Sequence, residues 1–182
     1  MSEILKGIRV LDISSFVSGP WACQTLAEYG AEVIKIENPR GGDPFRSFSK
    51  NQYSASFCAH NFHKKSLAID LSNPMSVEVL RRLAKTADVV VENFRPGVMD
   101  RLGIGWDNLK TVNPSLVYCA ISGFGPSGPY KHRPAYDTVI QAISGLLAQF
   151  LAPENPRIAG PNVADSVTSL CAVSGVLGAL FA

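Results

Sequence analysis

The stretch LKGIRVLDISSFVSGPWACQTLAEYGAEVIKIENPRGGD, residues 5–43, decides the fold. Gly7-Ile8-Arg9-Val10-Leu11-Asp12-Ile13 carries the branched apolar side chains of a buried strand. Gly19-Pro20 then turns the chain into a helix over residues 21–29, which Gly30 stops. Residues 31–37, Ala-Glu-Val-Ile-Lys-Ile-Glu, read as the next strand, and Asn38-Pro39-Arg40-Gly41-Gly42-Asp43 leaves it as a polar loop. This is a compact βαβ unit. Such units bind nucleotide-bearing ligands where strand ends meet helix starts.

The alternation continues outward from there. Residues 44–63 read as irregular, mixing Phe45, Tyr53 and Phe57 with Ser and Asn. Residues 64–70 form a short strand with a basic entry, and Ser72-Asn73-Pro74 starts a helix with Pro74 in the first turn. Val77, Leu80, Leu83 and Ala84 give that helix its apolar face. A strand over 88–92 runs into the loop 93–97, two short helical pieces follow at 98–102 and 106–112, and a strand over 116–121 ends in the Gly/Ser/Pro loop 122–129. A helix opening at 134–137 reaches about residue 150, and a proline-rich loop over 152–161 leads to a last helix. The expected fold is therefore α/β: a mostly parallel sheet with helices on both faces, Rossmann-like in plan.

Composition bounds the function. At 182 residues, 46% hydrophobic and 18% charged, the chain is long enough for one α/β domain with a sizeable core. A net charge of +2 without a basic run excludes a nucleic-acid footprint. Cys23, Cys58, Cys119 and Cys171 are widely spaced, so they read as buried free thiols and not as a zinc site or disulfide framework. The N-terminus lacks the layout of a signal peptide, which points to the cytoplasm. The uncharged run 167–182 has 16 residues, short of the ~20 that span a bilayer, and reads as a core helix. It carries no cap or polar tail, the signature expected of a fragment.

Ligands of open α/β sheets bind at the carboxyl ends of the strands, here the loops 14–18, 38–43, 93–97 and 122–129. All are rich in Gly, Ser, Asn or Arg, donors suited to phosphate and carbonyl oxygens. None is a Walker loop, and no G-x-G-x-x-G follows the first strand. On the residues alone, a nucleotide-like anionic ligand and a purely structural use of the turns stand equal.

Four words taken in order resemble the class III CoA-transferases, relatives of the α-methylacyl-CoA racemases. They are Leu11-Asp12 with Gly19-Pro20, then Val33-Ile34-Lys35-Ile36-Glu37, then Val91-Glu92-Asn93-Phe94-Arg95-Pro96-Gly97, and Tyr136-Asp137 after Ser122-Gly123-Phe124-Gly125. The combination spans nearly the whole chain and is far more specific than any one word. The resemblance implies that residues 1–182 are the N-terminal part of a CoA-binding large domain, its small domain and returning C-terminal segment absent. It implies a coenzyme A site at Val17, Ser18, Asn93, Phe94 and Arg101, with Tyr136 and Asp137 in a further CoA-contacting segment that matches over Arg133 to Asp137. By themselves Arg101 reads equally as a helix-end cation, Asn93 as a turn cap, and Lys64 and Lys65 as solvated charges, the reading favoured for the lysines. Many members of the family carry Arg where Asn38 stands, and Arg40 is the candidate substitute.

The resemblance also implies the chemistry: CoA passes from an acyl-CoA thioester to a free carboxylic acid through an aspartyl-CoA thioester. No metal or prosthetic group is called for, and the whole protein would be an interlocked homodimer away from membranes. The nucleophile's word is Val163-Ala164-Asp165-Ser166, which makes Asp165 the catalytic residue; alone it reads as a helix N-terminal carboxylate. Asp137 competes for that role, or caps a helix. Racemases place a His immediately before that position to move a proton, whereas here Tyr136 stands there, and a phenol of ordinary pKa near 10 is a poor base at neutral pH. His60 and His63 read as surface groups, and His132 lies near in sequence only. A racemase and a catalytically silent CoA-binding fragment remain the alternatives, and a chain of this length is expected to expose apolar surface on its last helix and to be inactive or insoluble alone.

Overall fold

The structure, a computed structural model, describes residues 3–51, 53–152, 154 and 161–182. Strands β1 (Arg9–Asp12), β2 (Glu32–Glu37), β3 (Lys64–Ala68), β4 (Val89–Glu92) and β5 (Val117–Ala120) form one sheet in the order β3-β2-β1-β4-β5. Every pairing is parallel, with Leu11 beside Ile34 on one side and Val90 on the other. The order reverses between β1 and β4, and that switch point opens a crevice at their carboxyl ends.

Helices α1 (Ser18–Glu28) and α7 (Val163–Leu180) cover one face, packing Ala22, Cys23, Leu26, Val173 and Val176 on Val10, Val33, Val89 and Val91. On the other face α3 (Pro74–Ala84), α4 (Val98–Arg101) and α5 (Trp106–Val112) bring Leu80, Ala84, Met99 and Leu109 onto Leu11, Ile36 and Val90. The central strands are apolar at successive positions because both faces are covered. Strand ends fall within two residues of the sequence reading.

Three local readings change. Residues 44–63 are not irregular throughout: a 3-10 turn spans Pro44–Phe48, capped by Asp43 accepting the Phe45 N–H, and α2 spans Ala55–Asn61, capped by the Ser54 hydroxyl accepting from Phe57. The helix expected to run to residue 150 is α6, Asp137–Ile143, followed by a separate 3-10 turn over Leu147–Gln149. Gly145, at φ +79°, breaks it, since a left-handed glycine ends a helix. The proline-rich loop over 152–161 lies for the most part outside the described residues.

Lys64 overturns the solvated reading. Its side chain is 2% exposed, and its ammonium donates to Asp12 (2.8 Å), the Pro20 carbonyl (2.8 Å) and Asn61 Oδ1 (2.9 Å). Lys35, equally buried, lies 3.1 Å from Asp43 and 3.7 Å from Asp12 and donates to the Ser14 carbonyl. Burial alone would raise the Asp12 carboxyl, but the two lysines hold it far below the usual carboxylate range. Lys65 is exposed and pairs with Glu32, as a solvated charge does. Only Cys23 of the four cysteines is buried; Cys58 and Cys119 are half-buried and Cys171 faces outward. His63 is exposed, and His60 is half-buried with its ring beside Trp21 and Phe45. Helix α7 starts at Val163, ahead of the uncharged run 167–182, and its 18 residues at a mean hydropathy of 1.6 are long and apolar enough, by length and composition only, to cross a membrane.

Candidate active site

The crevice at the switch point holds a cavity of about 410 Å³, here cavity two, floored by the start of three helices. Its lining takes Val17 and Ser18 from the start of α1, Asn93 to Pro96 from the loop after β4, Ser122 to Phe124 from the loop after β5, Tyr136 and Asp137 from the start of α6, and Asp165 from the first turn of α7. The sequence-predicted residues Val17, Ser18, Asn93, Phe94, Tyr136, Asp137 and Asp165 thus meet at one place. Arg101 does not join them: it is exposed at the end of α4, its guanidinium over Gly97.

Local chemistry sets each position. Gly19 is required because a Cβ there would lie 2.3 Å from the Ser14 Cβ, so only glycine lets α1 start against the end of β1. The Asn93 amide is spent on the backbone, with Oδ1 accepting from the Ser15 N–H (2.9 Å) and Nδ2 donating to the Ser15 carbonyl (2.7 Å). It ties the β4 loop to the β1 loop. The Ser169 hydroxyl lies 2.8 Å from both the Ser18 and Asp165 carbonyl oxygens, fastening α7 to the start of α1.

Asp137 and Asp165 form the charged centre. The Asp165 N–H donates to Asp137 Oδ1 at 3.0 Å, and the Gln141 amide holds the other Asp137 oxygen while reaching the Pro161 carbonyl at 3.2 Å. Burial, helped by the neighbouring Asp137 charge, pushes the Asp165 carboxyl up to about 6. Such a carboxylate is ionised at neutral pH yet more basic than an exposed one. Tyr136 is 67% exposed and meets the Phe16 ring edge-on at 6.0 Å.

Arg95, Lys131, Thr168 and Phe16 also line this cavity, as does Arg133 of the matched 133–137 segment. Arg95 and Phe16, the latter at φ +65°, stand in the strand-end loops 93–97 and 14–18 that the sequence marked, whereas Lys131 and Thr168 lie outside those loops. No histidine lines the cavity among the described residues.

Cavity one, also about 410 Å³, lies over the ends of β2 and β3 and meets cavity two at Ser15, Pro44 and Phe94. Asn38, Arg40, Gly42 and Ser72 line it. Glu37 supports its floor, bound by Arg46 at 2.8 and 2.9 Å, by Ser66 and by the Asp43 N–H. Burial works to raise the Glu37 carboxyl, but Arg46 and Ser66 hold it down to about 2.

With this geometry in view, the comparisons with known proteins are specific. The profile of CoA-transferase family III matches residues 5–182. The chain is 40% identical to a succinate–glutarate CoA-transferase of Agrobacterium fabrum over 97% of its own length and 46% of that protein's. It is 40% identical to a formyl-CoA:oxalate CoA-transferase of Afipia carboxidovorans, covering 100% of this chain and 43% of that one. The crystal structure of a CAIB/BAIF family protein from Brucella suis superposes with a TM-score of 0.90 at 38% identity, covering 97% of this chain and 49% of that one. The chain therefore spans less than half the length of the curated relatives it matches.

Proposed function

Because the chain belongs to CoA-transferase family III, we propose that it is the coenzyme A-binding part of an enzyme that moves CoA from an acyl-CoA thioester to a free carboxylic acid, with Asp165 as the covalent relay. The observation that carries this reading is the half-buried Asp165 carboxylate beside Asp137 at the meeting point of α1, α6 and α7, in a cavity whose lining also takes Arg95, Lys131 and Arg133. Coenzyme A fits a path along the two joined cavities. Its nucleotide end lies against Asn38, Arg40 and Ser72, and its pantetheine arm passes Ser15 and Phe94 to reach Asp165.

The chemistry then runs as two exchanges. The Asp165 carboxylate attacks the thioester carbonyl, expelling CoA thiolate and leaving a mixed anhydride. The thiolate attacks the aspartyl carbonyl of that anhydride, releasing the donor's carboxylate and leaving an aspartyl-CoA thioester. The acceptor carboxylate repeats the sequence in reverse and regenerates Asp165. Elevated basicity makes Asp165 a stronger nucleophile than an exposed aspartate, while ionisation is retained at pH 7. The relatives' names give succinate, glutarate and oxalate, and formyl-CoA, and small carboxylic acids are the substrate class adopted here. Racemisation is disfavoured by the lack of a lining histidine among the described residues. We further propose a homodimer as the working assembly, which the exposed apolar face of α7 supports, and a reducing compartment, which the four free cysteines support.

The test is intact-protein mass after mixing a full-length version of the protein with a panel of acyl-CoA thioesters. An adduct of CoA that maps to Asp165, is cleaved by hydroxylamine and is missing in Asp165→Ala supports the reading. Retained CoA binding with no adduct from any donor would reduce the chain to a binding module.

A further inference from the structure

Glu92, the last residue of β4, has no part in the chemistry above, yet its carboxyl sits behind the site, 7% exposed. It shares a strand face with Val90, turned toward the apolar side that α3, α4 and α5 cover. Its Oε2 accepts the Phe94 N–H at 2.8 Å, and the Tyr118 hydroxyl on β5 bonds to the same carboxyl. Behind it opens cavity three, about 810 Å³, where the charged and titratable lining is Glu92, Asp100, Asp107, Tyr118 and Arg95.

Phe94, Arg95 and Pro96 line both cavity two and cavity three, so this segment is the partition between them. Two side chains hold it. Asn93 grips the Ser15 backbone on the cavity-two side, and Glu92 grips Phe94 from the cavity-three side. We propose that Glu92 is a positioning residue for coenzyme A binding: by accepting the Phe94 N–H from behind, it fixes where the Phe94–Pro96 wall faces the ligand. This rests on the reading that cavity two receives coenzyme A. Removing the acceptor leaves the Phe94 N–H without its partner and frees the wall to move.

A second property makes the grip observable. Burial, with Asp100 adding, pushes the Glu92 carboxyl up to about 7, against the lowering effect of its bonds to Phe94 and Tyr118. The Phe94 N–H therefore trades a neutral acceptor for a charged, stronger one as pH rises through neutrality.

The experiment compares the full chain with Glu92→Gln, which keeps an acceptor of the same shape, and Glu92→Met, which fills the volume without one. Coenzyme A binding is measured by calorimetry, and the Phe94 amide is followed by NMR in the ligand-free, nitrogen-labelled chain. The expected result is binding within about twofold for Glu92→Gln and roughly tenfold weaker for Glu92→Met, the scale of one orphaned N–H. The Phe94 amide resonance moves between about pH 6 and 8 in the wild type and stays fixed in Glu92→Gln. The NMR readout stands even if Glu92→Met fails to fold. Wild-type affinity in a folded Glu92→Met, or a Phe94 amide that ignores pH in the wild type, overturns the positioning role alone. A wild-type chain that does not bind coenzyme A overturns the reading of cavity two on which the role rests.

Discussion

At the scale of single residues, Asp165 carries the most consequence. Its carboxyl is raised from an ordinary 3.8 to about 6 by burial and by Asp137. As the nucleophile it must be ionised, so adduct formation should fall as pH drops below about 6, a decline traced by initial rates between pH 5 and 8. The linkage to folding has the opposite sign. A raised carboxyl favours the protonated folded state, so its contribution is fully present below about 4 and is lost as pH rises through 6. Asp165→Asn should therefore abolish adduct formation yet raise stability at pH 8, by about 1–2 kcal/mol after allowing for solvent screening, with no gain at pH 4. Urea unfolding of both proteins at the two pH values checks it. Asp165 itself stood out in the sequence only by resemblance to a family. Its coupling to Asp137 spans 28 residues, and no local pattern marks such a pair.

At the scale of elements, β3 shows why local patterning falls short. Lys64-Lys65 opens the strand, and successive side chains of a strand face opposite ways. The sequence cannot say which lysine is covered, because the answer depends on α1 and α2 lying over one face and solvent over the other. Lys64 is the covered one, joining β3 to Asp12 of β1, to the Pro20 carbonyl inside α1 and to Asn61 at the end of α2. Lys64→Met should destabilise the chain by about 3–5 kcal/mol, since it strips a buried Asp12 of its closest cation. Lys65→Met should change stability by less than about 1 kcal/mol, because an exposed pair with Glu32 is worth little. Denaturant midpoints for the two variants separate these outcomes. The same limit hid α2 and the 3-10 turn before it, which are only 7 and 5 residues long. Elements that short show caps but no period, and Asp43 and Ser54 were the available signals.

At the scale of the whole molecule, the alternation of strand and helix made the parallel sheet legible, because buried parallel strands are apolar at successive positions. The order of strands was not legible, since pairing is a tertiary choice, and with it went the location of the switch point that gathers the loops 14–18, 93–97 and 122–129 into one cavity beside the one that 38–43 lines. The same whole-molecule view exposes a tension in α7. Ser169, Val173 and Val176 are buried against α1 and the sheet, while Val167 and Leu170 are 53% and 60% exposed on the opposite side. A buried leucine is worth about 1.5–3 kcal/mol relative to an exposed one, so a face of this kind drives association in water. The chain should therefore run in size-exclusion chromatography with light scattering above its monomer mass of 19.6 kDa, with the larger species growing as concentration rises. Leu170→Lys should return it to monomer without lowering its melting temperature, because Leu170 belongs to neither core cluster of the folded chain. Partition of the wild type onto lipid vesicles in place of self-association would assign the same face to a bilayer, and a wild type that stays monomeric and free of vesicles at high concentration would refute the argument from exposed area.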